Sequence, residues 1–211
     1  MNRRGSIWGL ASAGALLASL ALCPLPPQDE CTCWTARRIH GWCDFCWIGY
    51  VAGLPIRGRL LYELVDSHGH DIDATRLPCE KCRTGRDSSA FCETCGVGLV
   101  SGKAYLSKLG FALARGIVTS AADVKCALCK KNLTDHGWCD ACRRGAIGNT
   151  LIPDKNLYTQ AAAEWSRLKN ALPFLPRCEW CAIASFTDTR CPNCRLDFRD
   201  GRPVESPPSK P

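Results

Sequence analysis

The sequence predicts a small, metal-stabilised α+β fold, built from four short β-hairpins in two duplicated units joined by short helical segments. Three observations predict it. Sixteen of the 17 cysteines fall into eight close pairs, and the pairs fall into four blocks. In every block nine residues separate the inner cysteines. Blocks one and three match at an offset of 96 residues, and blocks two and four at 99.

The blocks follow in order. The first holds Cys31-x-Cys33 and Cys43-x-x-Cys46, and the second Cys79-x-x-Cys82 and Cys92-x-x-Cys95. The third holds Cys126-x-x-Cys129 and Cys139-x-x-Cys142, and the fourth Cys178-x-x-Cys181 and Cys191-x-x-Cys194. Two such hooks on a hairpin set four thiolates at the corners of a tetrahedron, which suits Zn²⁺. A disulfide framework would show irregular spacings and distant bridges. A bridge within C-x-x-C closes so small a loop that it restrains little of the unfolded chain. No pair is followed by histidine, which excludes c-type haem. A thioredoxin-like reading needs one reactive pair on a βαβ scaffold, and no such alternation is present. Spacing does not separate zinc from iron, which a rubredoxin-like site would hold.

The four blocks resemble zinc ribbons, four-cysteine modules with rubredoxin-like knuckles, over about seventeen residues each. The resemblance implies four structural Zn²⁺ ions, each with one block's cysteines as ligands. Block one departs from the pattern, because Glu30 stands where the first cysteine is expected. Either Cys31 still chelates, or His40, three residues before Cys43, replaces it. His136 occupies the matching place in block three, where four cysteines already suffice. His40 and His136 are therefore expected to pack beside the metal sites rather than to ligate. Trp42 and Trp138 precede knuckle cysteines and are expected to cover the sites against water. Exposed aromatic platforms for single-stranded nucleic acid are the alternative for these tryptophans.

Small ribbons bury little apolar surface. Metal binding would supply the missing folding free energy, on the order of 10 kcal/mol per site.

Residues 1–22 read as a signal peptide or N-terminal membrane anchor. Arg3 and Arg4 precede an apolar run from Ile7 to Leu22, and Ser19-x-Ala21 fits a cleavage site. The prolines of the 23–30 linker break the run. This predicts an extracytoplasmic protein, periplasmic or secreted, and membrane-anchored if the leader is uncleaved. Membrane contact is then through the N-terminal segment alone. Export of thiols into an oxidising compartment favours disulfides, whereas folding around metal first protects them. Arg3-Arg4 resembles in part the twin-arginine signal that carries folded proteins. The formal charge of +7 is offset once thiolates gather around divalent ions, so it argues poorly for nucleic acid, and export argues against it.

The first unit is expected over residues 31–110, the second over 126–202, and a disordered tail over 203–211. His-Gly-Trp-Cys-Asp occurs at 40–44 and 136–140, and Leu-Tyr at 61–62 and 157–158, the signature of duplication. Between ribbons, residues 55–66 suit a short helix or strand, and 103–115 a helix ended by Gly116. Asp154 or Asn156 would cap a helix through 171, stopped by Pro173 and Pro176.

Asp66, His68, His70, Asp71 and Asp73 crowd into eight residues. His68, His70 and Asp71 form a candidate second kind of metal site, against a solvated loop as the plain reading.

Four-thiolate sites leave no position for water or substrate, which disfavours Lewis-acid catalysis. The expectation is a non-enzymatic, exported zinc-binding protein, a scaffold for protein partners in the cell envelope. Metal buffering or delivery is one alternative, and thiol-disulfide oxidoreductase is the enzymatic one. The C-x-x-C-x-x-Gly pattern at Gly49, Gly98 and Gly145 resembles the cysteine-rich region of J-domain co-chaperones. That resemblance implies binding of unfolded chains, although its glycines fall at other offsets and no J-domain is present.

Overall fold

The computed structural model describes residues 32–73, 77, 79–84 and 89–204. The expected leader or anchor (1–22), the linker (23–30), Cys31 and residues 205–211 of the tail lie outside the described residues. What is described is a small α+β protein with four antiparallel sheets.

Block one runs α1 (Cys33–Ile39), β1 (Trp42–Cys43), β2 (Ile48–Val51), β3 (Leu54–Ile56) and α2 (Arg59–Val65). Block two runs β4 (His70–Asp71), α3 (Glu80–Thr84), β5 (Phe91–Cys92), β6 (Val97–Val100), β7 (Lys103–Tyr105) and α4 (Lys108–Arg115). Then come β8 (Ile117–Val118), α5 (Ala127–Asp135), β9 (Trp138–Cys139), β10 (Arg144–Ile147), β11 (Thr150–Ile152) and α6 (Lys155–Ala171). A 3-10 turn (Leu172–Phe174) leads to α7 (Glu179–Thr187), β12 (Asp197–Arg199) and β13 (Arg202–Val204). The sheets are ordered β1-β2-β3, β4-β7-β6-β5, β8-β11-β10-β9 and β12-β13.

The hairpin turns explain themselves. Ala52-Gly53, Ser101-Gly102 and Asp200-Gly201 each place two residues at positive φ, as a two-residue turn matched to strand twist requires. The close approach at Gly49, Gly98 and Gly145 is the physical content of the recurring glycine. A Cβ there would lie 2.2 Å from Tyr62, 2.3 Å from Phe111 and 2.1 Å from Tyr158. In each case the ring comes from the helix after the hairpin and packs against the strand where the glycine leaves room.

Several expectations need correction. The first hook of each block does not lie on a hairpin. Cys33 opens α1, Cys126 and Cys178 are the N-caps of α5 and α7, and Cys79 directly precedes α3. Residues 103–115 are not one helix, because Lys103–Tyr105 pairs with β6 before Ser107 caps α4 through the Gly110 amide. The helix expected through 171 is present as Lys155–Ala171 with Asp154, not Asn156, as its cap; only its 17-residue length departs from the short joining segments expected. Pro203 and Val204 belong to β13, so the ordered chain runs past Arg202.

One core lies between the blocks. Ile56, Leu61 and Val65 from block one, Leu109 and Phe111 from block two, Ile147, Ile152 and Leu168 from block three, and Ala182 and Phe186 from α7 share it. Smaller clusters surround the cysteines of blocks two and four. Carboxylates also fasten blocks together. The Leu60 and Leu61 amides, at the start of α2, donate to Glu179 Oε1 of α7 at 2.8 and 3.2 Å. The Leu109 amide of α4 donates to Glu164 Oε2 of α6 at 2.8 Å. Unpaired amides at a helix N-terminus favour such anions.

Candidate metal centres

Each block gathers its own cysteines. Cys79, Cys82, Cys92 and Cys95 form one cluster, Cys126, Cys129, Cys139 and Cys142 a second, and Cys178, Cys181, Cys191 and Cys194 a third. Their sulfurs all lie within 4.8 Å of one another. Cys33, Cys43 and Cys46 form a fourth cluster, of three described cysteines within the same distance. Cys31 lies outside the described residues.

Two different local structures meet at each cluster. Helical periodicity places residues 126 and 129 on one face of the first turn of α5, and 178 and 181 likewise on α7. The second hook is the tight turn that joins the short cysteine strand to the hairpin. There the backbone serves the sulfur: the Cys194 amide donates to Cys191 Sγ at 3.3 Å. Positive φ at Trp47, Gly96, Arg143 and Arg195, each just after the second hook, turns the chain back into the hairpin.

The spacing suits a thiophilic tetrahedral ion. The sulfur pairs Cys79–Cys92, Cys126–Cys139 and Cys178–Cys191 are each 3.9 Å apart. A tetrahedron with Zn–S bonds of about 2.3 Å has edges of about 3.8 Å. The thiols of one cluster also pull apart electrostatically. Burial, then neighbouring sulfurs, push Cys82, Cys129 and Cys181 well above the ordinary thiol range. The Cys95 amide, first, brings Cys92 down to about 7. Burial raises Cys43 and Cys191, but amide donors, including those of Cys46 and Cys194, bring them down to about 6 and about 7. A quartet with one thiol held low and another held high does not ionise fully near neutrality by itself. A bound cation would supply the missing stabilisation of all four thiolates.

The histidines have hydrogen-bond and packing partners. His40 is buried. The Ala52 amide donates to its Nδ1 at 3.0 Å. Nδ1 therefore carries no proton, and Nε2–H donates to Thr150 Oγ1 at 2.9 Å. Both ring nitrogens are used, and burial, first, lowers its pKa to about 4. His136 packs against Trp165 with ring centroids 4.2 Å apart and the rings tilted by 56°. Both residues end their helices in the left-handed conformation. Their carbonyls accept from Tyr62 and Tyr158 hydroxyls at 3.0 and 3.3 Å.

Trp42 and Trp138 do not cover the sulfurs. Each neighbours its cysteine in a two-residue strand, so the two side chains leave opposite faces. Trp42 lies against Tyr62, with the Arg59 guanidinium 4.8 Å from its ring centre. Trp138 lies against Tyr158, with the Lys155 ammonium 5.5 Å from its centre.

His68, His70 and Asp71 are not drawn together. His68 Nδ1 meets Asp66 Oδ1 at 2.9 Å. His70 Nε2 donates to the Glu63 carbonyl at 2.9 Å. Asp71 is exposed and pairs with Lys103 at 3.6 Å. Among the described residues, the groups placed to hold a metal are the four cysteine clusters.

The cysteines were legible from their spacing, but the helices that present half of them were missed. Their signal is short, five to nine residues, and in α5 polar, as in Lys130-Lys131-Asn132. No family model, no curated protein and no solved structure matches the chain.

Proposed function

We propose that this chain is a non-enzymatic zinc protein, with four structural four-cysteine sites, that serves as an exported scaffold for protein partners. The observation that carries the reading is the closed sulfur quartet, met in blocks two, three and four. A site whose four positions are all protein thiolates leaves none for substrate. Cys31 is proposed as the fourth ligand of block one. Blocks one and three share the order helix, cysteine strand, hairpin, helix, and the same histidine carbonyl to tyrosine bond. We infer from this a duplicated unit holding two sites per copy. The apolar run Ile7–Leu22 supports export or anchoring.

Native mass spectrometry of the purified chain tests the zinc reading. The expected result is about four zinc ions per chain and cysteines that remain reduced. A compact, metal-free chain with its sulfurs joined in pairs would sink it. Iron in place of zinc would show as visible absorbance. Metal delivery is the second reading, favoured by one observation: Cys95, Cys142 and Cys194 are exposed. Fast, reversible loss of ions to a chelator without unfolding would select delivery over a structural role.

A further inference from the structure

We propose that block one docks onto a phospholipid bilayer, with Trp34, Phe45 and Trp47 seated among the headgroups. This goes beyond the scaffold reading, in which only residues 1–22 touch a membrane.

The three aromatic side chains flank the ligands of a single cluster. Trp34 follows Cys33, and Phe45 and Trp47 bracket Cys46, while the sulfurs of Cys33, Cys43 and Cys46 lie within 4.8 Å of one another. Trp34 and Trp47 are each 71% exposed, and Phe45 is exposed as well. Block three, at the same 96-residue offset, has Lys130, Ala141 and Arg143 at these positions. The apolar character is therefore not demanded by the cysteine framework, which forms around charged and small residues equally well.

Trp47 adds a second observation. Its φ is +54°, a conformation that disfavours bulky side chains. The same turn position is Gly96 in block two, Arg143 in block three and Arg195 in block four, all at positive φ, so the turn sets the conformation and does not call for an indole. A solvent-facing tryptophan at this turn, where the other blocks use glycine or arginine, contributes nothing to the core. Indole rings settle at the water–hydrocarbon boundary of bilayers, where their apolar body and polar N–H are both satisfied. Arg37, one helical turn after Trp34, is exposed and offers a cation to lipid phosphate.

The chain itself brings a bilayer near. The apolar run ends at Leu22, ten residues before Thr32, where the described structure starts. Ten extended residues reach at most about 35 Å. A run seated in a membrane thus holds the start of block one within that distance of the headgroups.

The test uses the full chain in phosphatidylcholine vesicles whose acyl chains carry bromine near the headgroup. Trp8→Phe removes the tryptophan of the apolar run. The expected result is quenching of part of the remaining emission. It should fall at least threefold when Trp34→Lys and Trp47→Arg import the block-three residues, which already stand in the same local structure. No quenching in the Trp8→Phe chain overturns the proposal, and so does quenching that the double substitution leaves intact. Protection of both indoles without quenching, as a second copy of the chain would give, overturns it too. Counting bound metal on the same samples separates this result from the zinc reading. An intact ion count without quenching refutes docking alone.

Discussion

His40 shows how one residue is decided by its surroundings. Its position before Cys43 made ligation a fair alternative, yet Ala52 and Thr150 occupy both nitrogens. His40→Ala would strand the Thr150 hydroxyl and the Ala52 amide in the interior, at a cost of about 2–4 kcal/mol. The metal count should stay unchanged, since no ligand is lost. The pH dependence has a definite sign. The unfolded histidine takes up a proton near 6.5, whereas the folded one resists until about 4. Native stability from His40 is therefore present above the unfolded value and is lost as pH falls from 6.5 towards 4, by about 3 kcal/mol. Denaturant melts of wild type and His40→Ala should accordingly converge on acidification. A penalty that does not shrink would show that the ring is not held neutral.

At the scale of elements, the ends of helices connect the blocks. Helix α2 has Gly58 as its N-cap and no side-chain cap of its own. Its first amides are met by Glu179, which is 119 residues from Leu60 in the chain. Glu179→Ala should cost about 1 kcal/mol, the usual worth of a cap. Amide exchange at Leu60 and Leu61 should quicken before that of the rest of α2, as hydrogen-exchange mass spectrometry would report. Equal acceleration across all of α2 would mean that the carboxylate acts through packing. No spacing argument could have found this pair. The glycine–aromatic contacts are different, because Gly49 to Tyr62, Gly98 to Phe111 and Gly145 to Tyr158 all lie 13 residues apart. That regularity was on view in the sequence, although only the packed hairpin shows its meaning.

Across the whole molecule, the metal clusters lie outside the main core. None of the residues of that core is a cysteine. Apolar burial common to four blocks and local cysteine clusters therefore share the work of stabilisation, which revises the expectation of a chain with hardly any core. Cys142→Ser should remove a single ion, because all four sulfurs of that cluster come from one block. Loss of two ions by native mass spectrometry would instead require cross-bracing between blocks. The hairpin turns of blocks one and three also touch: a Cβ on Gly148 would meet Ala52 Cα at 2.8 Å, and Asn149 Nδ2 donates to the Arg38 carbonyl at 2.8 Å.

The cysteine quartets, the hairpins and the Asp154-capped helix were legible in the sequence alone, because each depends on residues close together along the chain, and the 96-residue offset was legible because the two segments repeat the same residues. Chelate spacing, turn chemistry and capping are short-range rules. Tertiary structure alone decided that His40 bonds Thr150, that Trp42 faces away from the sulfurs, that the His68–Asp71 group stays apart, and that a single core unites the blocks. The His40–Thr150 bond spans 110 residues and the core joins all four blocks, whereas Trp42 and the His68–Asp71 group are settled by nearer partners that compete for the same side chains. Burial and hydrogen-bond satisfaction act between such surfaces only after the chain has folded.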